Sequence, residues 1–338
     1  MEPVNVFDYE ALVQANIEPA AWDYYQSGVD DEVTLRANRA AFERIRLRPR
    51  MLVDVSTCEM RTTVLGTPVS MPILIAPTGF QCLAHPEGEC ATVRGAGNTL
   101  MVVSTSATRS LEDIARAASG PLWFQLYFYG RKNAESLIHR AEIAGYRALV
   151  ITVDSPCWGR KERAMRSSFS LPSHLVEANF TGEEDVEEYA AITWEALDWL
   201  RSLTSLPIIL KGILTAEDAL LAVEHGIDGL VVSNHGGRQL DSVQASIEAL
   251  PEVVEVVDGR CEIYLDGGIR RGTDILKALS LGARAVLVGR PILWGLAANG
   301  AEGISHVLEL LRTELELAMA LAGCPTLSSI DRSLVKSV

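Results

Sequence analysis

The feature that most constrains this chain is a repeat. From residue 72 onward, eight short runs of Val, Ile, Leu and aromatic residues alternate with helical stretches: PILIAPTG from Pro72, LMVVSTS from Leu100, LWFQLYFY from Leu122, ALVITVD from Ala148, PIILKG from Pro207, GLVVSN from Gly229, EIYLDGG from Glu262 and AVLVGR from Ala285. Most lack strict apolar/polar alternation, as expected of parallel strands covered on both faces. Amphipathic segments lie between them, such as TAEDALLAVEHG from Thr215 and TDILKALSLG from Thr273, each opening at a Thr N-cap and closing at a Gly. Eight βα units in roughly 250 residues predict an α/β chain closed into a (β/α)8 TIM barrel. An open doubly wound sheet would carry GxGxxG after its first strand, and that fingerprint is absent.

Around the repeat, the reading is one domain of 338 residues: a helical N-terminal segment over 1–71, the barrel over 72–300, and a C-terminal helix and tail over 301–338. RANRAAFERIRLRPR, from Arg36 to Arg50, reads as a solvated helix face with Glu43 among the arginines. A nucleic-acid patch is the competing reading, and a formal charge of -14 argues against it. The connection from Ser155 to Leu206 is far longer than a barrel crossover and contains the acidic stretch TGEEDVEEY from Thr181. It predicts a lid over the active face, mobile from about Ser168 to Ala190 until a substrate binds. The six cysteines show no CxxC and no short paired spacing, so neither a metal site nor a disulfide framework is expected. No apolar run approaches the roughly 18 residues that cross a bilayer, and MEPVNVFDYE lacks the features of a leader. The expectation is a cytoplasmic protein with no membrane and no nucleic-acid partner.

In such a barrel the chemistry collects where strands end. The ends here are polar: Pro77-Thr78-Gly79, Ser104-Thr105-Ser106, Gln125 with Tyr127, Thr152 with Asp154, Lys211, Ser233 to Arg238, Asp266 to Arg270, and Gly289-Arg290. Glycines and arginines after the seventh and eighth strands suit a phosphate, since the bare backbone approaches closely and Arg270 and Arg290 add charge. Lys211 has two readings, a Schiff-base nucleophile or a fixed cation beside an electron-accepting ring. SNHGGRQLD places His235 and Arg238 three apart on a glycine-rich turn. Histidine suits proton abstraction and arginine grips a carboxylate through two parallel bonds, so a carboxylic acid substrate is expected. Asp154 is placed to hold that histidine, and Arg160 in GRKER to supply a second clamp.

SNHGGRQLD, LDGGIRRGTDILKALSLGA, GRPILW, IAPTG, HPEGE, QLY, TVD and WDYYQSG stand in an order and spacing that resemble the FMN-dependent L-2-hydroxy-acid oxidase and dehydrogenase family, from about Asn5 to Leu327. The resemblance implies a metal-free flavoenzyme that oxidises a small 2-hydroxy acid, L-lactate foremost, and passes the electrons to O2, with hydrogen peroxide as the product and a homotetramer as the assembly. It also implies roles for residues. His235 becomes the base and Asp154 its orienter, Arg238, Arg160 and Tyr24 hold the substrate carboxylate, and Tyr127 sits near the substrate hydroxyl. Lys211 becomes the fixed cation beside the flavin. Ala76, Pro77, Thr78, Ser104, Gln125, Thr152 and Ser233 cradle FMN, with the phosphate on Asp266, Gly267, Gly268, Arg270, Gly289 and Arg290.

Two departures bear on the outcome. Ser106 stands where the glycolate oxidase branch has a pocket-lining Trp, which leaves room beside the substrate's third carbon. Gly79 stands where many oxidases of the family have Ala and monooxygenase-like members have Gly. The looser pocket at Ser106 favours early release of pyruvate and escape of peroxide, hence an oxidase.

Overall fold

Every one of the eight runs becomes a strand, and the set closes on itself. The computed structural model describes residues 2–180 and 192–337. Three short strands come first, β1 (Ile45–Leu47), β2 (Thr62–Val64) and β3 (Thr67–Val69). The barrel follows as β4 (Ile73–Ile75), β5 (Met101–Val103), β6 (Leu122–Leu126), β7 (Leu149–Thr152), β8 (Ile208–Ile213), β9 (Gly229–Val232), β10 (Glu262–Leu265) and β11 (Ala285–Val288). All neighbours run parallel, and β11 pairs with β4 in the register Val286↔Ile73, Leu287↔Leu74, Val288↔Ile75 to complete the ring.

Both strand faces are buried, which explains the continuous apolar runs. Leu74, Val102, Trp123, Val150, Ile209, Val231, Tyr264 and Leu287 form the inner cluster, while Ile73, Ile75, Val103, Phe124 and Ile151 face the helices. Trp123 packs edge-on to Tyr264 at 5.5 Å between ring centroids. Truncating either ring would cost about 3–5 kcal/mol. The β2–β3 hairpin adds Val64 and Val69 to that inner cluster, and Leu65 N–H donates to Glu262 at the start of β10. It therefore stops the N-terminal mouth and leaves the opposite end free for a site.

The N-terminal segment is less helical than expected. Helices α1 (Val6–Gln14), α2 (Pro19–Gln26) and α3 (Val33–Arg44) form, but the predicted helix through Arg50 stops at Arg44. Ile45–Leu47 instead pairs antiparallel with β12 (Val335–Ser337). The arginines of α3 are engaged within the chain: Arg39 pairs with Asp274 and Arg44 with Glu248. Thr215 caps the helix Ala216–Glu224 by accepting from Asp218 N–H. Thr273 caps nothing, because the helix starts one residue earlier, at Gly272, and Asp274 accepts the amides of Arg270 and Arg271. The helix Arg290–Ala322 bends at Asn299–Gly300, where the backbone leaves helical geometry. Among the described residues no helix is long and apolar enough to cross a membrane.

Candidate active site

The C-terminal ends of the strands surround a cavity of about 540 Å³, a size suited to a cofactor or substrate. Helix α2 closes one side of it. Pro19 opens that helix and Glu18 caps it by accepting from Ala21 N–H at 2.8 Å. Its other end is held by cations, as the partial negative charge of a helix C-terminus favours. Arg238 Nη1 donates to the carbonyls of Tyr24 (2.8 Å), Tyr25 (3.3 Å) and Ser27 (2.9 Å). Arg290 Nε donates to Tyr25 O at 3.0 Å and its Nη2 to Ser27 O at 3.2 Å. These contacts bring Tyr24 into the cavity, with the Arg238 guanidinium 5.2 Å from its ring centre.

At the centre stands a His–Asp pair. His235 follows β9 with φ +58, a left-handed conformation in a Gly-rich turn that aims the ring back over the barrel. Its Nδ1 lies 2.9 Å from Asp154 Oδ1, after β7, and its Nε2 lies 3.4 Å from the Tyr127 hydroxyl. An anionic Asp154 accepts only, so Nδ1 carries the proton and Nε2 keeps its lone pair toward the cavity. Burial lowers the His235 pKa and, with nearby Lys211 and Arg238, outweighs the pull of Asp154. The imidazole is thus neutral near pH 7. Burial by itself would raise Asp154, but His235, Lys211 and the Ser155 hydroxyl hold it below the usual carboxylate range. Burial and the Asp154 charge push the Tyr127 phenol well up, so it stays protonated. This arrangement of base, orienting carboxylate and neutral phenol can take a proton from a bound molecule.

Lys211 ends as a buried ammonium. Its Nζ donates to Ser233 Oγ at 3.0 Å and lies 3.3 Å from Asp266 Oδ2. Burial works to lower its pKa, yet Asp266 and Asp154 prevail and raise it. A Schiff-base nucleophile needs a neutral amine, so the surroundings favour the fixed cation.

The loops after β10 and β11 bring two partly buried guanidiniums to the cavity. Burial brings Arg270 down to about 10, with Arg39 adding repulsion. Arg290 falls well below its ordinary value through burial and through Arg238 and Arg270. Gathering partly buried guanidiniums against one another is costly unless an anion joins them. Among the described residues, Asp266 Oδ1 is buried without a hydrogen-bond partner and is open to a ligand hydroxyl. Cations for a phosphate, an acceptor for polyol hydroxyls and the Lys211 ammonium fit FMN.

Of the expected cofactor residues, Ala76, Pro77, Thr78, Ser104, Lys211, Asp266, Gly267, Gly268, Arg270, Gly289 and Arg290 line this cavity, as do Tyr24, Ser106, Tyr127, His235 and Arg238. Gln125, Thr152 and Ser233 stand one layer behind. Gln125 bridges Ser104 Oγ (3.2 Å) and Thr152 Oγ1 (3.0 Å), and Ser233 supports Lys211. Gly267 and Gly268 are required by packing as well as suited to a phosphate. Their φ values are +92 and +84, and a Cβ on Gly268 would lie 2.3 Å from the Asn38 carbonyl of α3. Close packing of the N-terminal segment and a left-handed turn require those glycines.

Arg160 is corrected. The Gly159 amide donates to Gln239 Oε1 at 2.9 Å, and the Arg160 carbonyl accepts from Asp30 N–H at 3.1 Å. That pinning turns the Arg160 side chain outward, 67% exposed and 3.9 Å from Glu162. Lys161 enters the cavity instead, its ammonium 5.7 Å from the Trp158 ring centre and 3.3 Å from Gly159 O. Burial, then the Arg238 charge, brings Lys161 down to about 8. Lys161, Glu177, Tyr129 and Trp158 also line the cavity and were missed from the sequence. Within GRKER it is Lys161, not Arg160, that faces the cavity.

The expected lid is partly fastened. Phe169 stacks on Tyr24 at 4.5 Å, Ala178 N–H donates to Ala107 O, and Asn179 bonds three backbone groups after β5. The rest of the predicted mobile stretch, 181–190, lies outside the described residues. Gly79 abuts Ser106: a Cβ there would sit 3.2 Å from the Ser106 carbonyl and 3.3 Å from its Cβ. The absent methyl is filled by the neighbouring loop.

Comparison with known proteins places the chain in a family. Residues 13–337 match the FMN-dependent dehydrogenase family. An L-lactate oxidase of Nostoc sp. is 52% identical, the alignment covering 98% of each chain. A glycolate oxidase of Spinacia oleracea is 48% identical over 98% of this chain and 95% of its own. A solved mandelate oxidase superposes with a TM-score of 0.94 at 44% identity, covering 99% of this chain and 98% of its own. The chain therefore belongs to the FMN-dependent dehydrogenase family.

Proposed function

We propose that this chain oxidises an L-2-hydroxy acid, L-lactate foremost, to the 2-oxo acid while O2 is reduced to hydrogen peroxide. The observation that carries the reading is the neutral His235, backed by Asp154, in one cavity with Arg238 and Lys161. Relatives named for lactate and glycolate oxidation support the substrate class.

In this reading Arg238 and Lys161 hold the substrate carboxylate, and the Tyr127 hydroxyl meets the hydroxyl on C2. His235 Nε2 takes the proton that leaves the substrate. Asp154, fixed at Nδ1, stabilises the imidazolium that results. Arg270, Arg290 and the backbone of Gly267, Gly268 and Gly289 would hold the phosphate of FMN, and Lys211 would set a positive charge against its ring. FMN, when bound, supplies the acceptor for the two electrons that O2 finally receives. Two hydrogens leave the hydroxy acid and appear in hydrogen peroxide, so the sum balances.

The reading includes a cytoplasmic location, supported by six cysteines that are all free, and a homotetramer, supported by the family resemblance. Anaerobic mixing with L-lactate tests the chemistry: the yellow protein bleaches, and readmitted O2 restores the colour with one peroxide per lactate consumed. No bleaching with L-lactate or any other L-2-hydroxy acid overturns it. Acetate and carbon dioxide in place of peroxide would mark a monooxygenase.

A further inference from the structure

The barrel order β10-β11-β4-β5-β6-β7-β8-β9 sets β5 and β9 four strands apart, on opposite sides of the ring. Arg238 and His235 follow β9 and Ser106 follows β5. A hydroxy acid held by its carboxylate at Arg238 and by C2 at His235 therefore sends its side chain across the cavity toward Ser106. What waits there is polar. Glu177 lines the cavity alongside Ser106, whose hydroxyl counters the upward push of burial on the Glu177 carboxyl.

Its position is built. Asn179, fully buried, donates from Nδ2 to Thr105 O at 2.8 Å and to Ser104 O at 3.3 Å, and its Oδ1 accepts from Leu111 N–H at 2.8 Å. Ala178 N–H donates to Ala107 O at 2.9 Å, and Arg140 Nη1 to Asn179 O at 2.6 Å. These bonds staple the long connection after β7 to the loop after β5. Glu177, next in the chain, is held against Ser106 by the backbone rather than by chance.

We propose that Glu177 with Ser106 is the subsite beyond C3, and that among L-2-hydroxy acids larger than L-lactate it selects those carrying a hydrogen-bond donor on C3. The inference rests on the function proposed above and adds which larger side chains the same site accepts. A carboxylate offers about four acceptor positions, more than the one neighbouring Ser106 hydroxyl can fill. A methyl group laid against the rest strips their water and returns nothing, whereas a hydroxyl or ammonium returns a charge-assisted bond. A second carboxylate in the substrate is repelled. Burial raises the Glu177 pKa and the Ser106 hydroxyl opposes the rise, which agrees with a carboxyl already short of water.

The test compares L-2,3-dihydroxypropanoate with L-2-hydroxybutanoate, which exchange a hydroxyl for a methyl, on the holoenzyme and on Glu177→Leu and Glu177→Gln. The unaltered protein prefers the dihydroxy acid by about ten-fold in kcat/KM, the scale of one hydrogen bond to a charged group. Glu177→Leu inverts the preference. Glu177→Gln keeps the acceptor, hence the preference, and admits L-2-hydroxysuccinate about ten-fold better. Dissociation constants of the matching 2-oxo acids, read from the perturbed flavin spectrum, follow the same order without turnover. Equal preference in the unaltered protein and Glu177→Leu overturns the subsite while L-lactate oxidation stands. Failure of every hydroxy acid on the unaltered protein overturns the functional reading and the subsite together. If Glu177→Leu does not fold, unchanged exclusion of L-2-hydroxysuccinate by Glu177→Gln overturns the subsite.

Discussion

Lys161 makes the pH dependence of this enzyme calculable. The group titrates at about 8 because burial and the Arg238 charge disfavour its ammonium form, so it is charged below that pH and neutral above it. At pH 7 roughly nine-tenths of the free protein carries the charge and at pH 9 about one-tenth. A partly exposed ion pair with the substrate carboxylate contributes about 1 kcal/mol, close to five-fold in affinity. Weighting five-fold by those fractions predicts a fall in kcat/KM for L-lactate of roughly three- to four-fold between pH 7 and 9. The acid limb belongs to His235, whose lowered pKa keeps the base available down to below its ordinary value. Steady-state kinetics across pH 5 to 10 on three proteins decide the matter. Lys161→Arg should move the alkaline limb out of the range, and Lys161→Met should flatten it at a kcat/KM near that of the parent at pH 9. Neither should shift the acid limb. An alkaline limb that survives unchanged in Lys161→Met refutes the reasoning, as does a pH 7 kcat/KM equal to the parent's.

Replacing His235 with Gln should leave FMN bound and slow anaerobic bleaching by at least 10²-fold, the lower range of general-base catalysis; stopped-flow rates within ten-fold of the parent would remove the base from that residue. Arg238→Lys keeps a charge but loses the fork that serves both the substrate and the carbonyls of Tyr24, Tyr25 and Ser27. KM for L-lactate should rise and kcat fall, and an unchanged KM would argue against carboxylate binding there. Gly268→Ala should destabilise the fold by about 1–3 kcal/mol, since its Cβ meets the Asn38 carbonyl at a left-handed φ; a thermal midpoint within one degree of the parent contradicts this.

The barrel was legible because its signal is local. A parallel strand buried on both faces writes itself as an uninterrupted apolar run, and Leu74 facing inward beside Ile73 and Ile75 facing outward shows why alternation vanishes. The misread elements depend on distant partners. Ile45–Leu47 is a strand only because Val335–Ser337 arrives beside it, and the helix that seemed to open at Thr273 starts at Gly272 because Asp274 satisfies the amides of Arg270 and Arg271. Nothing within a short window announces either.

The site divides along the same line. His235, Asp154 and Tyr127 sit just past strand ends and Lys211 within β8, which runs on to Ile213, and a strand end has a known place and direction once the barrel is accepted. Loop residues have neither. Arg160 and Lys161 are adjacent and both cationic, and only the bonds from Gly159 to Gln239 and from Asp30 to Arg160 decide which one faces inward. Gly268 is explained by Asn38, and Glu177 meets Ser106 only after Asn179 has fastened one loop to another. The residues hardest to read from the sequence are thus those that tune the substrate, because their positions follow from contacts between loops rather than from the periodicity of the barrel. Such positions can change without disturbing the strands, which is how one scaffold accommodates different acids around a constant pair of base and carboxylate.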